Sequence, residues 1–390
     1  VTNTNITYDT TNPSFGSVFP GTNAHVNDNT VAVKFTNSEA LKDGAVTYTK
    51  TGGTSPDTAS PHVHTLSGAE LNSGQQSINY TDLVDGDVYQ LDISGTDEAN
   101  NTYAIAAVTG IVYDKTAPTF GSVTPGNNVK VKASTRVVKL TLSEDMSAVR
   151  ITYTRTGGSA DTGSPRVTNL AGGQLNSGSK TIDFALVDGT TYDLSISGTD
   201  LAGNVGTTIN RTGITYDNTL PNFGNVTPVG GAYIRAATRS VAFTLSEAMT
   251  SVSLVYTANT GQNGETLNAQ HTYNLTGVEL TTLTGQSKDA VPALIDGNTY
   301  TLTLDGTDLA DNGAVTVMYA GIIYDTTAPG FGSVTPIAGA YVKADTRVVA
   351  WTNSENITAG TVTYTKTAGS TDTASPHVVS MAGKLTLGAQ

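Results

Sequence analysis

The sequence predicts an all-β chain built from tandem β-sandwich domains, and three observations lead to that prediction. One sequence pattern recurs along the 390 residues at intervals close to 100 residues. Between its copies, apolar residues alternate with polar ones in short runs, which is the pattern of a half-buried strand. Gly and Thr are abundant, which favours short strands joined by many turns.

The recurring pattern is Tyr-Asp-x-Thr-x-Pro, followed two residues later by Phe-Gly. Its four copies begin at Tyr8, Tyr113, Tyr216 and Tyr324, so the spacings are 105, 103 and 108 residues. A period of about 100 residues is the size of one immunoglobulin-like sandwich, and it is longer than the period of solenoid repeats. The sequence therefore predicts tandem immunoglobulin-like β-sandwich domains, with about seven strands each, in an extended array.

The copies of this pattern define the domain boundaries. Residues 1–7 are predicted to be the last strand of a preceding repeat, and residues 324–390 are predicted to be a partial fourth repeat. The complete repeats are 8–112, 113–215 and 216–323. Because a half-sandwich exposes strand edges, we expect either a window on a longer array or ends that another chain completes.

The second repeat shows the strand pattern most clearly. It predicts strands and no helix, with the strands at 119–123, 136–142, 148–156, 167–170, 180–184, 191–197 and 205–216. A Leu-x-Asp-Gly-x-x-Tyr turn precedes the penultimate strand of each complete repeat and ends at Tyr89, Tyr192 and Tyr300. A Tyr at this place resembles the tyrosine corner of immunoglobulin-like sandwiches, in which the hydroxyl bonds to the backbone.

Charge and composition exclude several classes of function. The formal net charge of −13 argues against nucleic acid or an anionic membrane surface as the partner. The absence of cysteine excludes disulfides and thiolate metal sites. No apolar run approaches the ~20 residues of a membrane span. We expect an extracellular or cell-surface location, with neighbouring repeats of the same or identical chains as partners.

Three acidic positions and one Asn recur in register. An Asp follows the Tyr of each linker, a Glu follows a Ser after the second main strand, and an Asp ends a Gly-Thr-Asp sequence with an Asn four residues later. Sandwich topology predicts that these side chains meet at the pole where the chain enters. Oxygen ligands suit a hard cation, and an adaptable loop site suits calcium better than magnesium. The predicted calcium ligands are Asp9, Glu39, Asp97 and Asn101; Asp114, Glu144, Asp200 and Asn204; Asp217, Glu247, Asp308 and Asn312; and Asp325 and Glu355.

These motifs resemble those of bacterial immunoglobulin-like repeats in large extracellular adhesins. The linker Asp325–Pro329 and the loop Gly198–Asn204 match best, and the resemblance covers essentially the whole chain. Asn100 and Asp311 replace the loop Gly in the first and third repeats. The resemblance implies a secreted, non-enzymatic stalk or fibre segment whose junctions calcium stiffens.

Two other functions stay open at this point. A self-assembling filament subunit would complete the partial fourth repeat with strands from a neighbouring chain. A carbohydrate- or surface-binding module would need an aromatic or Thr-rich face in one repeat, and the only Trp, Trp351, occupies a core-strand position. A glycan array would identify such a module.

Catalysis is not predicted, because the sequence contains neither a Gly-x-Ser-x-Gly elbow nor a phosphate-binding loop. His62 and His64 share one face of a predicted strand and could hold a metal. The second and fourth repeats do not preserve the pair, so we expect both histidines to be solvated strand residues.

Overall fold

The protein is described by a computed structural model that covers residues 2–4, 6–236, 239–288, 293–343, 348–383 and 385–390. The chain divides into two compact units. The first comprises residues 1–220 with 309–312, and the second comprises residues 221–308 with 313–390. The strands of the first two repeats therefore lie in the first unit, and those of the third and fourth repeats lie in the second.

The first repeat is a sandwich of two sheets. Its strands are β1 Phe15–Phe19, β2 His25–Val26, β3 Val33–Asn37, β4 Leu41–Gly52, β5 His62–Thr65, β6 Gly74–Ile78, β7 Asp87–Asp97, β8 Thr102–Ala104 and β9 Val108–Tyr113. One sheet has the order β1-β3-β6, and the other has the order β2-β9-β7-β4-β5 with β8 on β7. β2 pairs with β9 in parallel, so the entering chain crosses from one sheet to the other.

The second repeat has the same design. Its strands are β10 Phe120–Thr124, β11 Lys130–Val131, β12 Val138–Leu142, β13 Met146–Gly158, β14 Arg166–Asn169, β15 Gly178–Ile182, β16 Thr190–Asp200 and β17 Ile209–Tyr216. The sheets have the orders β10-β12-β15 and β11-β17-β16-β13-β14. A short 3-10 helix, Gly172–Leu175, joins the sheets between β14 and β15, and Gly68–Leu71 does so in the first repeat.

The third and fourth repeats make up the second unit. The strands of the third are β18 Phe223–Thr227, β19 Tyr233–Ile234, β20 Val241–Leu245, β21 Met249–Ala258, β22 Gln270–Asn274, β23 Gln286–Lys288, β24 Asn298–Asp308 and β25 Val317–Tyr324, with a 3-10 helix at Gly277–Leu280. Its sheets have the orders β18-β20-β23 and β19-β25-β24-β21-β22. The described strands of the fourth are β26 Phe331–Thr335, β27 Ala350–Asn353, β28 Thr361–Tyr364, β29 His377–Ser380 and β30 Gly388–Ala389, in sheets β26-β27-β30 and β28-β29.

This architecture confirms the predicted all-β class of tandem immunoglobulin-like sandwiches. In the second repeat, each predicted strand corresponds to an observed one, but β11 and the 3-10 helix were not predicted. A two-residue strand and a single helical turn are both too short to produce a periodic pattern. Residues 2–4 and 6–7 are irregular, whereas the sequence predicted a strand there; backbone forms a strand only when it is paired in a sheet.

Each of the first three repeats encloses its own apolar core. On β12, Val138, Leu140 and Leu142 are all buried, as their alternation predicted. The tyrosine corner is also confirmed, because the Tyr192 hydroxyl accepts a hydrogen bond of 3.0 Å from the Val187 amide. The corresponding bonds in the first and third repeats are 2.8 Å, to Tyr89 from Val84 and to Tyr300 from Ile295.

The described part of the fourth repeat leaves its apolar residues open. Phe331 is 49% exposed, whereas its counterpart Phe120 in the second repeat is 8% exposed. Trp351 is half-buried, and its indole nitrogen donates to Asn353 Oδ1 at 2.8 Å. The core-strand position predicted for Trp351 thus faces a core that the described residues only partly fill.

Candidate metal centre

The linker Asp of each junction is fixed by the repeat that precedes it. The Asp114 amide donates to the carbonyl of Val26, on β2, at 2.9 Å. The Asp114 carboxylate accepts from the Thr116 amide at 3.0 Å, which is an Asx-turn. The Asp-x-Thr pattern of the linker therefore sets the direction of this carboxylate.

The Ser of the Ser-Glu pair positions the Glu in the following repeat. Ser143 Oγ accepts from the Thr119 amide at 2.9 Å, and the Ser143 amide donates to the Thr119 carbonyl at 3.2 Å. These two hydrogen bonds join the start of strand β10 to the end of β12. Glu144, the next residue, is thereby held beside the entering linker.

The Gly-Thr-Asp sequence places the third carboxylate at the end of β16. A Cβ on Gly198 would lie 2.7 Å from the Ala148 carbonyl oxygen, so only Gly lets β13 approach so closely. Asp200 then lies buried at the strand end. Its two carboxylate oxygens accept from the amide and the side-chain Nδ2 of Asn204, both at 2.8 Å.

The residue before that Asn adopts a positive φ in all three repeats. Gly203 has a φ of +94°, and its replacements Asn100 and Asp311 have values of 69° and 66°. Asn and Asp are the residues other than Gly that tolerate this region best. The substitutions noted in the sequence therefore keep the loop conformation.

The structure brings together two complete sets of predicted acids within the first unit. Carboxylate oxygens of Asp114, Glu144 and Asp200 all lie within 4.8 Å of one another. The same holds for the set Asp9, Glu39 and Asp97. Each set combines the Asp of a linker with a Glu and an Asp of the sandwich that follows it.

Crowding of like charges perturbs the acidity of these groups. Partial burial and the neighbouring Asp114 and Asp200 carboxylates raise the pKa of Glu144 to about 7. Burial, with Asp200 as the main acidic neighbour, also raises the pKa of Asp114. Desolvation and the nearby Asp9 and Asp97 raise the pKa of Glu39. Ionisation of all three carboxylates in a cluster therefore costs free energy, and a bound cation would reduce that cost.

The recurring Asn residues form hydrogen bonds that the sequence did not predict. Asn204 Nδ2 donates to Asp200 and, at 2.9 Å, to the carbonyl of Asp114. Asn101 donates to Asp97 Oδ2 at 2.8 Å. Burial acts to raise the pKa of Asp97, but bonds from Asn101 and the loop amides outweigh it and lower the pKa. These side-chain nitrogens orient the carboxylates and link sandwich to linker, and a ligand role for the side-chain oxygens stays a prediction.

The remaining predicted ligands fall into two groups. Asp217 belongs to the first unit, where Lys130 Nζ contacts its Oδ2 at 2.8 Å and Asn312 donates to its carbonyl at 3.0 Å. In the second unit, Glu247 and Asp308 bring carboxylate oxygens within 4.8 Å of each other.

The fourth repeat repeats part of this arrangement. Desolvation raises the pKa of Glu355, and the neighbouring Asp325 and Asp296 carboxylates add to the shift. Asp325 and Glu355 thus form the linker-and-Glu half of a cluster in the second unit.

A further acidic position, which the sequence pattern predicts only as part of a turn, clamps the linker. Asp85, in the turn between β6 and β7, accepts from the Lys115 amide at 2.7 Å and from Thr116 Oγ1 at 2.6 Å. Burial acts to raise the pKa of Asp85, but the hydrogen bonds from Lys115 and Thr116 outweigh burial and lower the pKa. Asp188 binds the next linker in the same way, through the Asn218 amide and Thr219 Oγ1, and Asp296 does so through Thr326 and Thr327.

We expect Asp85→Ala to release the linker locally. The loss of two hydrogen bonds, each with a net value of about 1 kcal/mol, should speed hydrogen exchange of the Lys115 amide by roughly tenfold or more. Asp188→Ala is the matched control, which should affect Asn218 and leave Lys115 unchanged. Equal exchange at Lys115 in wild type and Asp85→Ala would show that the clamp does not restrain the linker.

The prediction for the two histidines is wrong for one of them. His62 is buried, at 4% exposure, because two carboxylates and a tyrosine surround its ring. His64 is half-exposed and contacts Glu70 at 3.0 Å. The two share a strand face, but the His62 ring contacts Asp57 and Asp82 while the His64 ring contacts Glu70.

Fold and site together define a class: tandem immunoglobulin-like sandwiches with acidic clusters between linker and following sandwich. A model of the bacterial Ig-like domain family matches residues 114–213, which confirms the predicted family for the second repeat. No curated protein matches the chain.

Among the solved structures to which this chain is similar are two multidomain proteins. The FN1–FN3 domains of chicken CNTN1 are 10% identical over 79% of this chain and 98% of that one, with a TM-score of 0.30. A tetra-tandem repeat from the extending region of a large adhesion protein is 18% identical over 91% of this chain and 86% of that one, with a TM-score of 0.28. Within the described residues, no helix has the length and apolar character needed to cross a membrane.

Proposed function

We propose that this chain is a structural segment of an extracellular bacterial surface protein, in which calcium at the interdomain junctions limits bending between repeats. The observation that carries the proposal is the composition of the two acidic clusters in the first unit. Asp114 is anchored to the first repeat, while Glu144 and Asp200 belong to the second. A cation held by all three would tie one sandwich to the next.

The donor set fits calcium. A calcium ion bound at about 2.3–2.6 Å separates its ligand oxygens by up to about 5 Å, and the oxygens of Asp114, Glu144 and Asp200 lie within 4.8 Å of one another. Carboxylates without nitrogen or sulfur ligands favour a hard cation. The raised pKa of Glu144 supports the same conclusion, because it reflects burial together with repulsion from Asp114 and Asp200, and a divalent charge cancels that repulsion.

The clamp formed by Asp85 adds a constraint that needs no metal. It holds the linker to the preceding sandwich, while Asn204 holds it to the following one. A cation would therefore complete a junction that hydrogen bonds already restrain. The role proposed is mechanical, with no substrate and no catalytic residue.

The test is small-angle scattering of the chain with calcium and with chelator. Calcium is expected to narrow the distribution of conformations and increase the maximum dimension, because fixed junctions keep neighbouring repeats in line. Glu144→Gln, which keeps the side-chain shape and removes the charge, should weaken the response. An identical scattering profile in calcium and in chelator would contradict calcium stiffening.

A second candidate is a filament subunit whose fourth repeat accepts strands from a neighbouring chain. The exposed Phe331 and Val379, at 49% and 64%, favour it, because strand addition would cover such a face. Electron microscopy of the purified chain distinguishes the two: continuous fibres support the filament, and separate particles support the stalk segment.

A further inference from the structure

A buried acid–base pair lies beside the tyrosine corner of each complete repeat. The acid comes from the loop after the long central strand, and the base lies five or six residues later on the next strand. We call these the corner pairs: Asp57–His62, Asp161–Arg166 and Glu265–His271. In all three, the corner tyrosine donates its hydroxyl to the acid, at 2.7–2.8 Å.

The first repeat encloses its base between two acids. His62 Nε2 lies 2.7 Å from Asp57 Oδ2, and His62 Nδ1 lies 2.6 Å from Asp82 Oδ2. The imidazole and Asp57 side chains are 2% and 1% exposed. The Tyr89 ring packs edge-on at 6.0 Å. Asp57, Asp82 and Tyr89 are the titratable groups that face the imidazole from the loop after β4, the turn before β7 and β7 itself.

This geometry requires a charged ring. An imidazolium has two N–H donors, one for each carboxylate, whereas a neutral imidazole has one donor and one lone pair. Loss of the proton would therefore leave a nitrogen lone pair facing a carboxylate at less than 3 Å. Such a contact is repulsive, and burial prevents water from relieving it.

We propose that His62 is a proton-dependent lock that joins the loop 53–61 to the turn 82–86 in the first repeat, closed while the imidazole carries both protons and weakened when one leaves. The released proton goes to solvent, since Asp82 is 59% exposed. The same turn carries Asp85, which clamps the linker to the second repeat. The lock thus anchors the segment on which that junction depends, and it operates without any metal.

The second repeat contains a permanent version of the lock. Arg166 contacts both oxygens of Asp161, each at 2.7 Å, and an arginine stays charged at every physiological pH. Ala185 stands where the first repeat has Asp82, so Arg166 faces one acid through two parallel bonds. The third repeat keeps a histidine, with His271 Nε2 at 2.8 Å from Glu265.

The pH dependence follows from the sign of each shift. Burial acts to lower the pKa of His62, but hydrogen bonds to Asp57 and Asp82 outweigh it and raise the pKa above 6.5. The stabilisation from His62 is therefore complete below about pH 6.5 and is lost as pH rises through the higher folded value. Burial acts to raise the pKa of Asp57, but hydrogen bonds from His62 and Tyr89 outweigh it and lower the pKa below 3.8. The stabilisation from Asp57 is therefore present above pH 3.8 and is lost only as pH falls through the lower folded value.

The direct test is an NMR titration of the histidine rings in the full chain with chelator present. His62 is expected to titrate above 6.5 and, below its midpoint, to show both ring nitrogens protonated. Asp82→Ala removes one acceptor at the surface and should lower that midpoint. A His62 midpoint at or below 6.5, or one that Asp82→Ala leaves unchanged, would overturn the lock.

The second measurement exchanges the two versions of the lock. Calorimetry of the chain in chelator should show an unfolding temperature of the first repeat that falls as pH rises above about 6.5. His62→Arg copies the second repeat, with the same five-residue spacing from its acid, and should flatten that fall. His62→Gln should weaken the repeat at the lower pH and leave little further loss at the higher one. A fall of the same size in wild type and His62→Arg would contradict the proposal.

Discussion

Calcium is expected to raise the unfolding midpoint of the second repeat by roughly 5–10 °C, with an effect that grows from about pH 5 to about pH 8. A site with a Kd of about 10⁻⁴–10⁻³ M, which is typical of extracellular modules, adds about 1.4–2.7 kcal/mol at ~10 mM calcium. The pH dependence arises because Glu144, with a pKa raised to about 7, must lose its proton before it can bind a cation.

Without calcium, the stability of the second repeat changes with pH in the opposite direction. The folded pKa of Glu144 lies above its ordinary value of 4.5, so the folded state binds the proton more tightly than the unfolded state. Stability from this group is greatest below about pH 4.5 and falls as pH rises to about 7, by about 1–3 kcal/mol once solvent screening is allowed for. Calcium should reverse this fall, because it replaces the proton as the neutralising charge.

Glu144→Gln separates the two effects. It removes one of the three charges, so the metal-free chain should become more stable near pH 8 while its response to calcium weakens. Calorimetry with and without chelator measures both. Suppose that Glu144→Gln stabilises the repeat and that calcium leaves the unfolding midpoint of wild type unchanged. The cluster is then a site of repulsion that binds no cation, and the proposed junction site is wrong.

Asp161→Ala is expected to lower the free energy of unfolding of the second repeat by roughly 3 kcal/mol, since it breaks a buried ion pair. The Asp161 side chain is 1% exposed and binds Arg166, the Tyr192 hydroxyl and the Gly163 amide. Its removal would leave the buried hydroxyl of Tyr192 without an acceptor for its proton. Denaturant unfolding measures the loss.

The acid limb of the stability curve provides a second readout. The Arg166 guanidinium is the main cause that lowers the pKa of Asp161 to about 2. The stabilisation is present above the ordinary value of 3.8 and is lost as pH falls through about 2, so wild type and Asp161→Ala should converge there. Asp183→Ala, which removes the 59% exposed partner of Arg136, is the control and should cost no more than about 1 kcal/mol. Equal losses in the two variants would contradict the assignment.

The sandwich fold and the acidic clusters could be predicted because both depend on local patterns that recur. Alternation along β12 predicts its buried face directly. The Asp, Ser-Glu and Gly-Thr-Asp positions recur in register, and sandwich topology alone then brings Asp114, Glu144 and Asp200 to one pole. The bonds from the Asn204 side-chain nitrogen to Asp200 and Asp114 were not predicted, because a sequence does not reveal which groups an amide contacts.

The clamp and the lock depend on contacts between distant segments. Asp85 bonds to residues 115 and 116, about 30 residues away, and within its own turn it has the features of an ordinary turn former. His62 was expected to be solvated because the second and fourth repeats do not preserve the pair of His62 and His64. The signal that could have shown its burial was the acid five residues upstream, which recurs as Asp57, Asp161 and Asp372 with either His or Arg as its partner.

The position of Asp114 means that the folding unit of this chain and the unit that forms an acidic cluster do not coincide. Its amide completes the edge of one sandwich, through Val26, while its carboxylate belongs to the cluster of the next. Unfolding of the first repeat would therefore release the Asp114 carboxylate from the cluster of the second repeat. The stabilities of neighbouring repeats would thus be coupled. An excised or rearranged repeat should keep a complete acidic cluster only when it includes the linker that precedes its sandwich.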